Sequence, residues 1–229
     1  MTGDPAPLLT GRGLHKSFGA TPALRGVDIS VAAGEVLAVM GPSGSGKSTL
    51  LHCLAGILTP DAGEIVFDGQ RVDRMLDNRR SRLRRGEFGF VFQFGHLVPE
   101  LPIRENIAFP LLLGGKPRRA ALAEAQRWLP RLGLADVGDR LPGEVSGGQG
   151  QRAAVARALI AGPRVIFADE PTGSLDSVAA DQVMELLVAT AKAERVSVVL
   201  VTHEPRVAAY ADRQVTVRDG RTSSPAVLA

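Results

Sequence analysis

Short runs of apolar residues recur along the chain with turn-forming residues between them, and these runs predict the fold. The runs that predict strands cover residues 27–31, 35–40, 64–69, 88–92, 165–168 and 196–202. The runs are rich in β-branched residues, and we interpret them as continuous apolar runs without alternating polar positions. We therefore expect the strands to be buried on both faces of a sheet. Helical patterns intervene at residues 47–56, 148–161 and 177–194. Alternating strands and helices predict an α/β fold with a mostly parallel sheet.

One stretch, residues 95–145, departs from this alternation. It contains no convincing strand, and residues 117–134 have the pattern of an amphipathic helix that ends near Gly133. We therefore expect a single domain over residues 1–229, with residues 95–145 forming a helical subdomain inserted in the α/β core.

Composition and charge narrow the possible classes of partner. A chain of 229 residues with 45% hydrophobic residues is long enough for a well-buried core. Its net charge of +3 is too small for strong bulk attraction to nucleic acid, so we expect no nucleic-acid partner. The lone Cys53 excludes an internal disulfide framework.

Hydropathy predicts where the protein works. No apolar run approaches the roughly 18–20 residues that cross a bilayer, and the first residues do not resemble a signal peptide. We therefore expect a cytoplasmic protein, and any role at a membrane would require a partner.

The clearest chemical motif is GPSGSGKS at residues 41–48, which fits the phosphate-loop pattern GxxxxGK[ST]. It lies directly after one predicted strand and before a predicted helix, which favours a phosphate loop over an ordinary glycine-rich turn. Backbone N–H groups of such a loop wrap a phosphate chain, and the helix N-terminus adds partial positive charge. Lys47 is expected to bind the β- and γ-phosphates of ATP, and the Ser48 hydroxyl to bind Mg²⁺. The residues predicted to bind ATP here are Gly41, Pro42, Ser43, Gly44, Ser45, Gly46, Lys47, Ser48 and Thr49.

Two carboxylates end the predicted strand at residues 165–168. At the C-terminal end of a parallel strand, Asp169 can hold the magnesium shell, and Glu170 can orient and deprotonate an attacking water. The alternative is a solvated acidic turn, which the presence of a phosphate loop in the same chain disfavours.

A second candidate anion-binding element is VSGGQGQR at residues 145–152. Ser146 is a natural N-cap, and the glycines permit an anion to approach the backbone closely. One nucleotide does not need two such elements from the same chain. In a dimer, however, each nucleotide can be shared, with one element supplied by each chain. An ordinary glycine-rich helix cap is the alternative.

With these three elements the chain resembles the ATPase subunits of ATP-binding-cassette (ABC) transporters over about residues 8–221. The resemblance implies a P-loop NTPase of the ABC ATPase type with an N-terminal antiparallel β part. Ser146, Gly147, Gly148 and Gln149 match the family signature, which binds the ATP of the opposite protomer. Lys47, Glu170 and His203 are implied as catalytic, with His203 contacting the γ-phosphate.

The resemblance assigns further residues. Gln93 matches a glutamine that ligates magnesium and senses the membrane partner, so the implied metal ligands are Ser48, Gln93 and Asp169. Ser174, Leu175 and Asp176 match the D-loop, which touches the opposite protomer. Phe18 matches the aromatic residue that stacks on adenine, with a core phenylalanine as the alternative.

The family contains three kinds of protein, and the sequence favours the first. These are motors of membrane transporters, soluble ATPases of DNA repair, chromosomes or translation, and signalling or mechanical subunits such as the cell-division ATPase. Only 99 positions separate Lys47 from Ser146, which leaves no room for the coiled coils or zinc modules of the repair and chromosome enzymes. A single cassette also disfavours the translation factors.

Local sequence narrows the expected partners. Residues 89–115, 168–177 and 202–213 resemble the group that serves lipoprotein release, macrolide efflux and antimicrobial-peptide resistance. We therefore expect a membrane permease and a second ATPase subunit, with a homodimer at the inner face of the cell membrane. An arginine cluster at residues 79–85 is either a solvated helix face or a contact for lipid phosphates or for a partner's acidic loop.

Overall fold

The computed structural model describes residues 7–223, which form two compact units. In that part of the chain the strands are β1 (Leu9–Phe18), β2 (Thr21–Val31), β3 (Val36–Met40), β4 (Ala62–Phe67), β5 (Gln70–Arg71), β6 (Phe88–Phe92), β7 (Val165–Asp169), β8 (Ser197–Thr202), β9 (Arg213–Arg218) and β10 (Arg221–Ser223). The α-helices are α1 (Lys47–Leu54), α2 (Asp77–Glu87), α3 (Ile103–Leu113), α4 (Arg118–Arg131), α5 (Gly147–Leu159), α6 (Ser177–Ala193) and α7 (Pro205–Ala208). The first unit holds residues 7–84 and 197–223, and the second holds residues 85–196.

The first unit contains an antiparallel sheet in the order β2-β1-β4-β5. Two of the runs that predicted strands lie in this sheet: residues 27–31, and residues 64–69, of which the first four belong to β4. The expectation that they are buried on both faces is wrong, because their side chains alternate between buried and exposed or half-buried positions. An antiparallel sheet packs one face on the core and leaves the other accessible, which produces this alternation.

The first unit also contains strands in the order β10-β9-β3-β8, in which β3 runs parallel to both β8 and β9. All six residues of β8 and the first four of β3 are buried, as predicted for strands covered on both faces. Helix α1 follows β3 and packs against β8 and β1. This arrangement fixes the end of β3, where the phosphate loop begins.

The second unit pairs β6 with β7 in parallel, and helix α5 packs against β6. The predicted helices at residues 117–134, 148–161 and 177–194 correspond to α4, α5 and α6, and residues 95–145 contain no strand. Helix α3, which packs against α4 and α5, was not predicted. Phe167 on β7 is fully buried and packs edge-on to Phe88, with ring centroids 5.1 Å apart.

Cys53 lies on the buried side of α1 with no exposed surface. Burial in an apolar environment raises the pKa of its thiol from 9.0 to about 11. The side chain is therefore a neutral thiol at physiological pH. Among residues 7–223, no helix combines the length and apolar character needed to cross a membrane.

Candidate functional site

The phosphate loop at the end of β3 depends on two glycines. Gly41 and Gly46 adopt φ angles of 149° and 104°, which are unfavourable for residues with a side chain. A Cβ atom on Gly41 would lie 2.0 Å from the carbonyl oxygen of Val217, and one on Gly46 would lie 2.4 Å from that of Ala23. Backbone from two other segments therefore packs directly against the loop, and only glycine fits at either position.

Lys47 begins α1 and directs its ammonium group back into the loop. It is only 7% exposed, and its Nζ atom donates hydrogen bonds of 2.9 Å to the carbonyl oxygens of both Gly41 and Pro42. The Ser45 hydroxyl is buried without a hydrogen-bond partner among the described residues. A buried cation and an unsatisfied hydroxyl at a helix N-terminus are suited to an oxyanion ligand.

His203 follows β8 and emerges at the same edge of the first unit as the phosphate loop. The last residue of β3, Met40, is the register partner of Thr202 in the neighbouring parallel strand. The Thr202 hydroxyl accepts a hydrogen bond of 3.0 Å from the backbone N–H of Glu204, which holds the turn after the strand. The structure thus places His203 at the strand edge where the phosphate loop begins.

Phe18 ends β1 at the tip of the β1–β2 hairpin and is 53% exposed. This exposure excludes the alternative in which Phe18 is a core residue. The preceding residues are held by Asp61, which accepts hydrogen bonds from Lys16 Nζ at 2.8 Å and from the Ser17 N–H at 2.7 Å. These bonds hold the pKa of the Asp61 carboxyl below its usual range, with the Lys16 bond as the largest cause.

In the second unit, Gln93 and the carboxylates emerge together. Phe92 at the end of β6 is the register partner of Asp169 at the end of β7, so Gln93 and Glu170 follow at one edge. Glu170 has a φ of 47°, a left-handed conformation that is uncommon for a residue with a side chain. Both carboxylates are half-buried and engaged by neighbours, so this is not a solvated acidic turn. Strained residues of this kind cluster at functional sites.

The D-loop contacts the Gln93 segment within the same unit. The Ser174 hydroxyl donates a hydrogen bond of 2.8 Å to the carbonyl oxygen of Gln93. A Cβ atom on Gly173 would lie 2.8 Å from the Gln93 side-chain nitrogen, so the glutamine rests against this glycine. Asp176 instead caps α6, where its carboxylate accepts hydrogen bonds from the N–H groups of Val178 and Ala179 at 3.0 and 2.9 Å.

The signature segment begins α5 as predicted. Ser146 is the N-cap, and its hydroxyl accepts a hydrogen bond of 3.2 Å from the Gln149 N–H. The Gln149 side chain in turn accepts a bond of 2.9 Å from the Ser146 N–H and completes a capping box. Ser146 and Gly147 are exposed, so the start of this helix is open to an approaching anion.

Two functional candidates were missed by the sequence analysis, and both lie on α5. Arg157 donates hydrogen bonds of 2.7 and 2.6 Å to the carbonyl oxygens of His96 and Gly95, and burial lowers its pKa. Gln151 donates one of 2.8 Å to that of Phe92. Helix α5 therefore forms hydrogen bonds to the backbone on both sides of Gln93. The only sequence signal was polar residues spaced through an alanine-rich helix.

The described residues contain no group of three or more His, Cys, Asp or Glu side chains that could hold a metal ion by themselves. Magnesium differs from zinc or calcium because it keeps waters and binds through one or two protein oxygens together with substrate phosphates. The hydroxyl of Ser48 in the first unit and the carboxylate of Asp169 in the second are each oxygen donors of a type that magnesium accepts.

Comparison with known proteins gives consistent matches. Residues 24–173 match the family model described as ABC transporter. The lipoprotein-releasing system ATP-binding protein LolD 2 of Caulobacter vibrioides is 43% identical over 218 residues, which cover 93% of this chain and 96% of the relative. The macrolide export ATP-binding/permease protein MacB of Marinobacter nauticus is 42% identical over 95% of this chain, which spans 34% of that longer protein.

Solved structures give the same fold. The ATP-binding cassette MJ0796, described as a dimer in a post-hydrolysis state bound to ADP and phosphate, superposes with a TM-score of 0.84 at 33% identity. The match covers 94% of this chain and 98% of that one. A mostly parallel core, an N-terminal antiparallel sheet and a helical region are thus common to both.

Proposed function

The chain belongs to the ABC transporter family, and from this membership we propose that it is the motor subunit of a membrane transporter. It is an ABC ATPase, which hydrolyses ATP to ADP and phosphate. The observation that carries the proposal is the phosphate loop, where the buried Lys47 ammonium and the unsatisfied Ser45 hydroxyl are suited to bind an oxyanion. A separate permease supplies the path through the membrane.

We propose that residues of the first unit bind the nucleotide and that a residue of the second unit activates the attacking water. In the first unit, residues 41–49 hold the phosphates, Phe18 stacks on adenine and His203 contacts the γ-phosphate. In the second unit, Glu170 orients the attacking water and accepts its proton. The strained backbone of Glu170 supports this role, because it fixes the carboxylate directly after the strand.

We propose Ser48, Gln93 and Asp169 as the protein ligands of Mg²⁺. Magnesium bound with the phosphates supplies charge neutralisation as the γ-phosphoryl group departs. Hydroxyl, amide and carboxylate oxygens are the ligand types that this cation prefers. Magnesium does not need a cage built from protein side chains alone.

The active form is a dimer in which each ATP is bound by two cassettes. The exposed start of α5 after Ser146 supports this arrangement, because the N–H groups of Gly147 and Gly148 are helix-terminal donors for an anion from outside the chain. We propose that Gly148 and Gln149 share this role, and that the D-loop residues Ser174, Leu175 and Asp176 touch the opposite protomer. A Cβ atom on Gly147 would lie 3.4 Å from the Leu175 side chain, which supports a D-loop beside the start of α5. We infer a homodimer, without nucleic acid as a partner.

The whole chain acts as a single ABC ATPase domain, in which residues 95–145 are the helical subdomain. Phe94 is 70% exposed directly after Gln93, and it offers an apolar contact for the permease beside the proposed sensor. The protein thus works at the cytoplasmic face of the cell membrane, where it is held by that permease.

The substrate class follows from the relatives. Similarity to the LolD and MacB proteins supports export, or extraction from the membrane, of a lipophilic or peptide substrate. The second candidate is a mechanical or signalling complex of the cell-division type, which the regional sequence resemblance keeps open. Purification of the membrane complex and identification of its permease distinguishes the two.

The shared nucleotide site is tested by association in solution. With hydrolysis blocked by Glu170→Gln, ATP should convert monomer to dimer and ADP should not, because the γ-phosphate bridges the two chains. Adding Ser146→Arg should prevent the dimer while nucleotide still binds the phosphate loop. The matched control is Ser30→Arg, which puts the same group on an exposed strand position. Light scattering after gel filtration measures the mass.

Two results would contradict the proposal. If Glu170→Gln with Ser146→Arg still dimerises with ATP, Ser146 does not face the nucleotide of the partner. If Glu170→Gln stays monomeric with saturating ATP even when reconstituted with its permease, the cassettes do not close on ATP.

A further inference from the structure

Helix α2 divides its arginines between two opposite sides. Arg84 donates hydrogen bonds of 2.5 and 2.8 Å to the carbonyl oxygen of Gly56 and to the Ser81 hydroxyl. Arg80 bonds to the Thr59 hydroxyl and to Asp77. These two arginines therefore anchor the helix to the body of the first unit, and their charges are partly satisfied there.

The remaining arginines of α2 form an arginine face, defined here as Arg79, Arg82 and Arg85. All three are exposed, and their spacing spreads them over an arc of about 120° on the side away from Arg80 and Arg84. Within residues 7–223, the guanidinium groups of Arg79 and Arg82 make no hydrogen bond or ion pair, and Arg85 makes a long bond of 3.4 Å to a carbonyl oxygen. Within the part of the chain that the structure describes, no acidic group relieves the mutual repulsion on this face.

The charge imbalance is local. Residues 74–87 contain six arginines and two acidic residues, a net charge of +4, whereas the whole chain carries +3. The rest of the protein is therefore close to neutral, at −1. A solvated helix is stabilised by acids three or four residues from its basic side chains, and α2 has one such ion pair among the described residues, from Arg80 to Asp77. This pattern favours a bound anionic surface over simple solvation.

An exposed leucine adjoins the arginine face. Leu76 directly precedes α2 and is 71% exposed, the most exposed of the large hydrophobic side chains in the described residues. A large apolar side chain next to unpaired arginines is the pattern of segments that lie at a membrane interface, where the arginines meet phosphates and the apolar group enters the acyl boundary. An acidic protein loop would account for the charges and leave Leu76 unexplained.

We propose that the arginine face binds the phosphate headgroups of anionic lipids, with Leu76 inserted at the membrane surface. This inference rests on the proposed function in one respect, because a transporter motor works beside the bilayer. The contact supplements the permease and orients the first unit toward the membrane. It is electrostatic in the main, so it weakens as salt screens the charges.

Vesicle sedimentation tests the contact with the isolated chain. The protein should bind vesicles of equal phosphatidylglycerol and phosphatidylcholine and show little affinity for phosphatidylcholine alone. The double variant Arg79→Gln with Arg82→Gln should bind the anionic vesicles about 25-fold more weakly, at about fivefold per arginine. Leu76→Ser should weaken binding as well. The control is Arg218→Gln with Arg221→Gln, which removes two exposed charges from the β9–β10 hairpin and should leave binding unchanged.

Each outcome decides the proposal. Thermal unfolding at the wild-type temperature verifies that the double variant is folded, since neither side chain is packed. Equal binding of anionic vesicles by wild type and the double variant overturns the proposal. Arginine-dependent binding of polyglutamate, with no binding of anionic vesicles, also overturns it and assigns the face to an acidic protein segment. ATP-driven dimerisation of Glu170→Gln needs no lipid, so it tests the proposed function separately.

Discussion

Lys47 carries a charge that the phosphate loop itself stabilises. Its ammonium group is almost fully buried, and two carbonyl oxygens of the same loop accept hydrogen bonds from it. A buried charge without such partners costs several kcal/mol. The residue therefore holds the loop together and supplies the cation that the phosphates need.

Replacing this lysine should affect both roles. Lys47→Ala should abolish phosphate release and strongly weaken nucleotide binding, and should lower the free energy of unfolding by about 1–3 kcal/mol because the two carbonyl groups lose their donor. A phosphate assay and thermal unfolding measure these effects, with the exposed Lys116→Ala as control. Turnover near that of the wild type would refute the assignment of the loop.

Phe18 gives a residue-level test of adenine binding that is separate from folding. Because the ring is more than half exposed, Phe18→Ala should leave the unfolding temperature unchanged. It should weaken ATP binding by the loss of a stacked base, which is worth about 1–3 kcal/mol, while Phe18→Tyr keeps the ring face and stays close to wild type. Titration with a fluorescent nucleotide measures both. Unaltered affinity in folded Phe18→Ala would exclude stacking.

At the scale of elements, α5 connects the signature to the segment around Gln93. The helix begins at the capped Ser146, and further along it Gln151 and Arg157 bind the carbonyl oxygens that flank Gln93. A shift of this helix is thereby transmitted to that backbone. We infer that Arg157 is a positioning residue for the proposed sensor.

Arg157→Lys should separate positioning from binding. A lysine keeps the charge but lacks the planar fork that reaches both the Gly95 and His96 carbonyl groups. The maximal rate of hydrolysis in the permease complex should fall, while the ATP affinity of the isolated chain stays near that of the wild type. Steady-state kinetics and nucleotide titration measure the two, with Arg119→Lys as an exposed control. Equal losses in Arg157→Lys and the control would remove the positioning role.

The sequence predicted those elements whose signal is local. The phosphate loop, the N-cap at Ser146 and the strands before Asp169 and His203 follow from spacing and apolar runs. Arg157 could not be found this way, because in an alanine-rich helix an arginine suggests an exposed position unless the fold places carbonyl groups over it. Burial on both faces was wrongly predicted for residues 27–31, since it depends on which sheet receives the strand.

At the scale of the whole molecule, nucleotide binding should be visible as stability. A ligand that binds only the folded state stabilises it by mass action, by about 2.7 kcal/mol at a concentration 100 times its Kd. Glu170→Gln is the suitable variant, because it should retain bound ATP without hydrolysing it. The melting temperature then reports occupancy directly.

Removing the metal should remove much of this stabilisation. MgATP should raise the melting temperature of Glu170→Gln, ATP with EDTA should raise it far less, and neither should act on Lys47→Ala. Scanning calorimetry measures the three cases. An equal rise with and without EDTA would contradict the proposed magnesium ligands Ser48, Gln93 and Asp169.

The burial of Cys53 has a practical consequence for spectroscopy. It is the single cysteine of the chain, and with a thiol pKa of about 11 it presents almost no thiolate to a maleimide at neutral pH. A new cysteine at an exposed position away from the proposed nucleotide site, such as Ser30, would therefore take a fluorophore selectively without prior removal of the native thiol. Energy transfer between two such labelled copies could follow opening and closing in real time.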